Sequence, residues 1–209
     1  MTLRVGLDFD NTLIDYDQVF GKVLIAEAAR REISLPVSVS GKQAVKQAAI
    51  QLAGETFWMA IQGQAYGRGI VDGQLIPGVA DFLITARDHQ ADIFIVSHKT
   101  VFGHFDDSRT NLRTAARGWM DEQGFFDPRG FAVQPSRLFF EATLEAKIAR
   151  LHSLNLDYFI DDLEKVLTAP NFPEHTRKIW FNPQPTAPRK SVTLCADWAT
   201  IQQSIFGHD

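Results

Sequence analysis

Four short apolar runs, each ending in polar residues, set the tightest limit on how this chain folds. They are "LRVGLDF" (3–9), "ADIFIVSH" (91–98), "LDYFIDD" (156–162) and "RKIWFNP" (177–183). "SRLFFE" (136–141) and "SVTLCA" (191–196) are shorter candidates of the same kind. Near-continuous apolar runs of this length read as strands covered on both faces, as in a parallel sheet. Helical patterns lie between them. Residues 78–90 place Val79, Phe82, Leu83 and Ala86 on one face, and residues 143–155 repeat Leu144, Ile148 and Leu151 at helical spacing. Thr143 is the expected cap of the latter helix. The stretch 108–124 offers Ser108 as an N-cap and Gly124 as a stop. Strand alternating with helix predicts an α/β fold, a Rossmann-like, doubly wound parallel sheet.

One region departs from the alternation. From Asp15 to about Pro77 there is no convincing strand, and residues 16–32 and 40–67 read as helices joined by a turn near "LPVSVSG". In open α/β sheets the ligand crevice lies at the carboxyl ends of the strands. A helical insertion leaving the first strand at that end is expected to form a lid. The predicted division is therefore a core of residues 1–14 and 78–209 with a helical cap of residues 15–77. The Pro-rich stretch "NPQPTAPRK" (182–190) reads as a surface loop.

Composition narrows the class. The 209 residues are 45% hydrophobic and 22% charged, which is ordinary for a globular protein. A net charge of -4 gives no reason to expect nucleic acid or an anionic membrane as partner. No run is long and apolar enough for a membrane span, and no signal peptide is apparent. The single cysteine, Cys195, cannot form an internal disulfide and reads as a buried small residue. The expected location is the cytoplasm. Oligomeric state is open.

In a parallel sheet the polar strand ends share one edge. Asp8 and Asp10, Ser97 with His98, Lys99 and Thr100, and Asp161 with Asp162 should converge there. Lys147, on the helix preceding the fourth motif, joins them. Clustered carboxylates are costly unless a cation offsets their repulsion. A hard cation such as Mg²⁺ suits such a set and usually shares its site with phosphate. An aspartate can act as a phosphoryl nucleophile, while lysine and serine can hold the remaining oxygens.

Four stretches resemble the motifs of the haloacid dehalogenase (HAD) superfamily, in order. "DFDNT" (8–12) is similar to its D-x-D-x-T motif, "FIVSHKT" (94–100) to its second, "EAKIARL" (145–151) to its third and "YFIDDLEKV" (158–166) to its fourth. The resemblance implies a Mg²⁺-dependent phosphatase working through an aspartyl-phosphate on a small phosphorylated metabolite. It implies Asp8 as nucleophile and Asp10 as general acid and base. Asp8, the Asp10 carbonyl and Asp162 would hold Mg²⁺, with Asp161 acting behind them. Ser97 and Lys147 would bind the phosphoryl group, and Thr12 would orient the first loop. Residues 15–77 would match the small α-helical C1-type cap. Asp10 favours phosphate esters over halides, since halide leaves unprotonated.

Other readings accompany these. Arg150 competes with Lys147 for its role. His98 and Lys99 are balanced between substrate contact and plain structure. Phe57, Trp58 and Tyr66 read as cap core rather than pocket lining, and the aromatic-rich 101–131 as either interface or core. A phosphotransferase or phosphomutase would keep both aspartates. A non-catalytic phospho-acceptor module would cluster similar groups, but needs neither the D-x-D spacing nor the cap.

Overall fold

The computed structural model describes residues 2–35, 39–184 and 191–207. The turn near "LPVSVSG" and the Pro-rich loop fall partly or mostly outside them. The chain divides into two compact units. One comprises Met1–Ile14, Leu75–Lys99 and Gln123–Asp209; the other comprises Asp15–Gln74 and Thr100–Glu122.

The first unit is a six-stranded parallel sheet. Its strands are β1 (Arg4–Leu7), β4 (Asp92–His98), β5 (Leu138–Glu141), β6 (Tyr158–Asp161), β7 (Arg177–Phe181) and β8 (Thr193–Cys195). They run in the order β5-β4-β1-β6-β7-β8. All six expected strands are present, the two shorter ones at the sheet edges. Helices α3 (Val79–Asp88), α5 (Leu144–Leu154), α6 (Glu164–Leu167) and α7 (Trp198–Phe206) flank the sheet. Val5, Leu7, Ile95, Val96, Phe159 and Ile160 are almost wholly buried, as the unbroken apolar runs require. Thr143 caps α5 as expected, its hydroxyl accepting from Ala146 N at 3.1 Å. Cys195 is buried.

The second unit is helical: α1 (Asp17–Arg30), α2 (Lys42–Tyr66) and α4 (Leu112–Glu122). The backbone of α2 breaks at Ala53 and Gly54, where Gly54 adopts φ 82°. Its core is aromatic. Phe20 stacks on Trp58 at 5.5 Å, and Tyr66 meets Tyr16 edge-on at 4.9 Å. Phe57 and Trp58 are buried here, as the cap-core reading expects. Gly63 and Gly103 meet closely enough that a Cβ on Gly103 would lie 2.4 Å from Gly63 Cα.

Two local expectations are corrected. Helix α4 begins at Leu112, not near Ser108. Asn111 is its cap, accepting at Oδ1 from Arg113 N and Thr114 N, while Ser108 bonds to Asp106 instead. Residues 100–122 pack with 15–74, whereas the sequence division placed them in the sheet unit. The short strands β2 (Ile14–Asp15) and β3 (Gln74–Leu75) pair with one another where the chain passes between units. No helix among the described residues is long and apolar enough to cross a membrane.

Candidate active site

Register brings the polar strand ends together. Leu7 is level with Ile95 of β4 and Ile160 of β6. Asp8 and Asp161 each follow that level by one residue and Ser97 by two. Parallel pairing thus collects groups separated by up to 153 positions at one edge of the sheet.

The loop after β1 is tightly wound. The Phe9 carbonyl accepts from the amides of Thr12, Leu13 and Ile14, and Asn11 adopts φ 59°, a conformation asparagine tolerates. The Thr12 hydroxyl accepts from Asp162 N at 3.2 Å, joining the first loop to the fourth. Two indoles steady these loops: Trp198 Nε1 donates to Thr12 O at 3.1 Å, and Trp180 Nε1 to Asp162 O at 3.0 Å.

Lys147 is the hub of the site. It is 1% exposed, and its Nζ lies 2.6 Å from Asp8 Oδ1 and 2.7 Å from Asp161 Oδ2. Its competitor Arg150 instead pairs with Glu141 at 2.8 Å. The second oxygen of Asp161 accepts from Leu163 N. Burial holds the Asp8 carboxyl well above the usual carboxylate range. Lys147 pulls the other way, while Asp161, Asp162 and Asp10 add to the rise. Burial also works to lower the Lys147 ammonium, but Asp161 and Asp8 outweigh it and raise it above the ordinary lysine range.

Asp8, Asp161 and Asp162 each offer a carboxylate oxygen, and these atoms lie within 4.8 Å of one another. The cluster sets three carboxyl groups against the single Lys147 ammonium, an excess of acidic groups over cations. An all-oxygen set with that excess fits a hard divalent cation. Ser97 Oγ is buried and is the one buried side-chain polar atom among the described residues without a hydrogen-bond partner. Buried hydroxyls in native proteins are nearly always satisfied, so this one has capacity for a ligand oxygen.

His98 and Lys99 separate cleanly. Successive strand residues face opposite sides. Ser97 and Lys99 are buried, while His98 is exposed and bonds through Nε2 to Ala142 O at 3.0 Å. Lys99 Nζ lies 3.0 Å from Asp10 Oδ1 and 2.8 Å from Oδ2. Sequence reasoning weighed Lys99, like His98, between substrate contact and plain structure and did not pair it with Asp10. The signal was its two-residue offset from Ser97, which puts both on one face. Thr100 and the helical residues after it belong to the other unit.

No protein-family model matches the chain, and no curated protein matches it. Solved structures do. A HAD-hydrolase of Bacillus subtilis, described bound to magnesium, superposes with TM-score 0.64 at 16% identity, covering 98% of this chain and 99% of its own. A predicted phosphatase from Clostridium acetobutylicum gives 0.60 at 13%, covering 99% of each chain. A HAD family hydrolase from Deinococcus radiodurans, with bound phosphate and sodium, gives 0.55 at 12%, covering 97% of this chain and 94% of its own. The chain has the haloacid dehalogenase-like fold.

Proposed function

We propose that the protein is a Mg²⁺-dependent phosphoric monoester hydrolase acting on a small phosphorylated metabolite through an aspartyl-phosphate. The observation that carries this reading is the Lys147 bridge between Asp8 and Asp161, with both oxygens within 2.7 Å of one buried ammonium. A buried lysine holding two carboxylates beside a third is an expensive arrangement for structure alone. It suits a nucleophile that must be fixed, charged and shielded from water.

Asp8, Asp162 and the Asp10 carbonyl would hold the cation, with Asp161 acting behind them, its two oxygens engaged by Lys147 and Leu163 N. When bound, Mg²⁺ supplies positive charge that favours ionised Asp8 and draws electron density from the phosphoryl oxygens. Lys147 holds Asp8 Oδ1, so Oδ2 is the attacking atom. It forms a bond to phosphorus as the ester P–O bond breaks, and Asp10 gives its proton to the leaving oxygen. Water then attacks phosphorus, Asp10 takes a proton from it, and the bond to Oδ2 breaks. Asp8 is regenerated and inorganic phosphate is released. Ser97 Oγ would donate to a phosphoryl oxygen, and Thr12 would keep the first loop in register with Asp162.

The helical unit is assigned the role of a cap that selects the substrate and excludes water. Chain connectivity supports this. Both excursions into it leave the sheet unit just after site residues, one at Ile14 and one at Lys99.

The test is phosphate release from a panel of phosphorylated metabolites and p-nitrophenyl phosphate with Mg²⁺, beside Asp8→Asn, and with sugar acceptors to detect transfer. Mg²⁺-dependent release that disappears in the variant is expected. Release that persists in purified Asp8→Asn would sink the assignment, and product appearing on the acceptor would make the enzyme a phosphotransferase.

A further inference from the structure

We infer that Lys99 is the positioning residue of Asp10, gripping both oxygens of its carboxylate and so fixing the orientation from which that carboxylate serves the leaving group. The inference rests on the hydrolase reading above for its consequence, but not for its geometry.

Asp10 lies in a loop beyond the end of β1, and its side chain is 17% exposed. An aspartate in such a place has several rotamers open to it. Lys99 removes that freedom. Its Nζ is within 3.0 Å of both Asp10 oxygens, and its own side chain is 2% exposed. The lysine is itself anchored at both ends. Its amide donates to Glu141 O at 2.8 Å, extending the β4–β5 pairing past the last residue of β4. Its ammonium lies 5.5 Å from the centroid of the Phe9 ring. A rigid strand end therefore reaches from β4 to the loop of β1 and holds one functional group in place.

A lysine that merely neutralised its own burial would be indifferent to the substrate. A positioning lysine is not. Proton delivery matters for an alkyl phosphate, whose alkoxide is a poor leaving group, and hardly at all for p-nitrophenyl phosphate, whose phenolate leaves unaided. Hydrolysis of the aspartyl-phosphate is common to both esters, so the position of Asp10 should be felt by one ester and not by the other in its formation, the step that kcat/KM reports.

The experiment compares wild type, Lys99→Met and Lys99→Arg on an alkyl phosphate and on p-nitrophenyl phosphate, with Lys99→Met repeated in an Asp10→Ala background. It is paired with crystal structures of wild type and Lys99→Met. In Lys99→Met, kcat/KM on the alkyl ester is expected to fall by about 100-fold, with about 3-fold or less on the aryl ester. Lys99→Arg should recover part of the loss. In the Asp10→Ala background Lys99→Met should cost nothing more, since the two act as one unit. Equal losses in kcat/KM on both esters, or additive effects with Asp10→Ala, would overturn the inference. So would an Asp10 side chain that keeps its place in the Lys99→Met crystal. That last reading needs no turnover, so a wild type without phosphatase activity would refute the hydrolase reading and still leave Lys99 tested.

Discussion

Lys147 Nζ sits 2.6 Å from Asp8 Oδ1, across 139 positions of chain. Asp161 is the other half of its environment. Removing the ammonium would leave two carboxylates buried without their counter-charge. Lys147→Met is expected to lose about 3–5 kcal/mol at neutral pH in the absence of divalent ions. The loss should shrink as pH falls, because burial already holds Asp8 above the carboxylate range and protonating it relieves the repulsion. Turnover should drop by about 100-fold or more even where Mg²⁺ restores the fold. Urea denaturation with and without Mg²⁺ separates the two effects. A variant as stable as wild type at pH 7 would contradict the account of the bridge.

Ser97→Ala should divide stability from function. Its hydroxyl is buried without a partner, so removing it deletes an unsatisfied group rather than a hydrogen bond. The variant is expected to be as stable as wild type or more stable by up to about 1 kcal/mol. Affinity for inorganic phosphate should fall about tenfold, the value of one hydrogen bond to a charged group. Thermal melts and phosphate titration read the two independently.

Mg²⁺ is expected to raise the melting temperature, since a cation that binds only the folded chain stabilises it by about 2.7 kcal/mol at 100 times its dissociation constant. Asp162→Asn should lose most of that shift while keeping the fold, because Asp162 lies in the carboxylate cluster without contributing to the Lys147 bridge. A full shift in Asp162→Asn, with the shift lost in Asp161→Asn, would exchange the roles assigned to the pair.

The helical unit has its own pH dependence. Glu27 is 1% exposed and is lowered to about 2, chiefly by the hydrogen bond from Arg30, with Gln64 and Arg31 adding to it against the cost of burial. A carboxyl lowered on folding stabilises the fold above its unfolded value of 4.5, and the contribution disappears as pH falls from there towards 2. Since Arg30 is half exposed, solvent reduces the effect to about 2 kcal/mol. Glu27→Gln should therefore melt below wild type at pH 7, with the gap narrowing as the pH approaches 2. A gap constant across that range would show that Glu27 acts through shape rather than charge.

Much of this was legible in the sequence because a parallel sheet turns strand order into convergence. Once six apolar runs were read as parallel strands, Asp8, Ser97 and Asp161 had to share an edge. Lys147 was preferred to Arg150 by motif resemblance, and the Arg150–Glu141 pair now gives the physical reason. Other features depend on contacts that local pattern does not record. The start of α4 turned on which polar residue finds free amides, and Asn111 does so where Ser108 is already occupied by Asp106. The affiliation of 100–122 is set by packing such as Gly103 against Gly63, 40 positions away. No periodicity announces it.

That affiliation has a consequence for how such a protein could change over time. The helical unit is encoded in two pieces, 15–74 and 100–122, with β4 between them. The pieces are interdependent: Trp119 in the second donates its buried indole N–H to Gly73 O in the first at 3.0 Å. A chimera made by exchanging the larger piece alone would set that indole against a foreign loop. Recombination that transplants the whole unit must cross the gene four times rather than twice, so the unit is better suited to being reshaped by point substitution than inherited as a module.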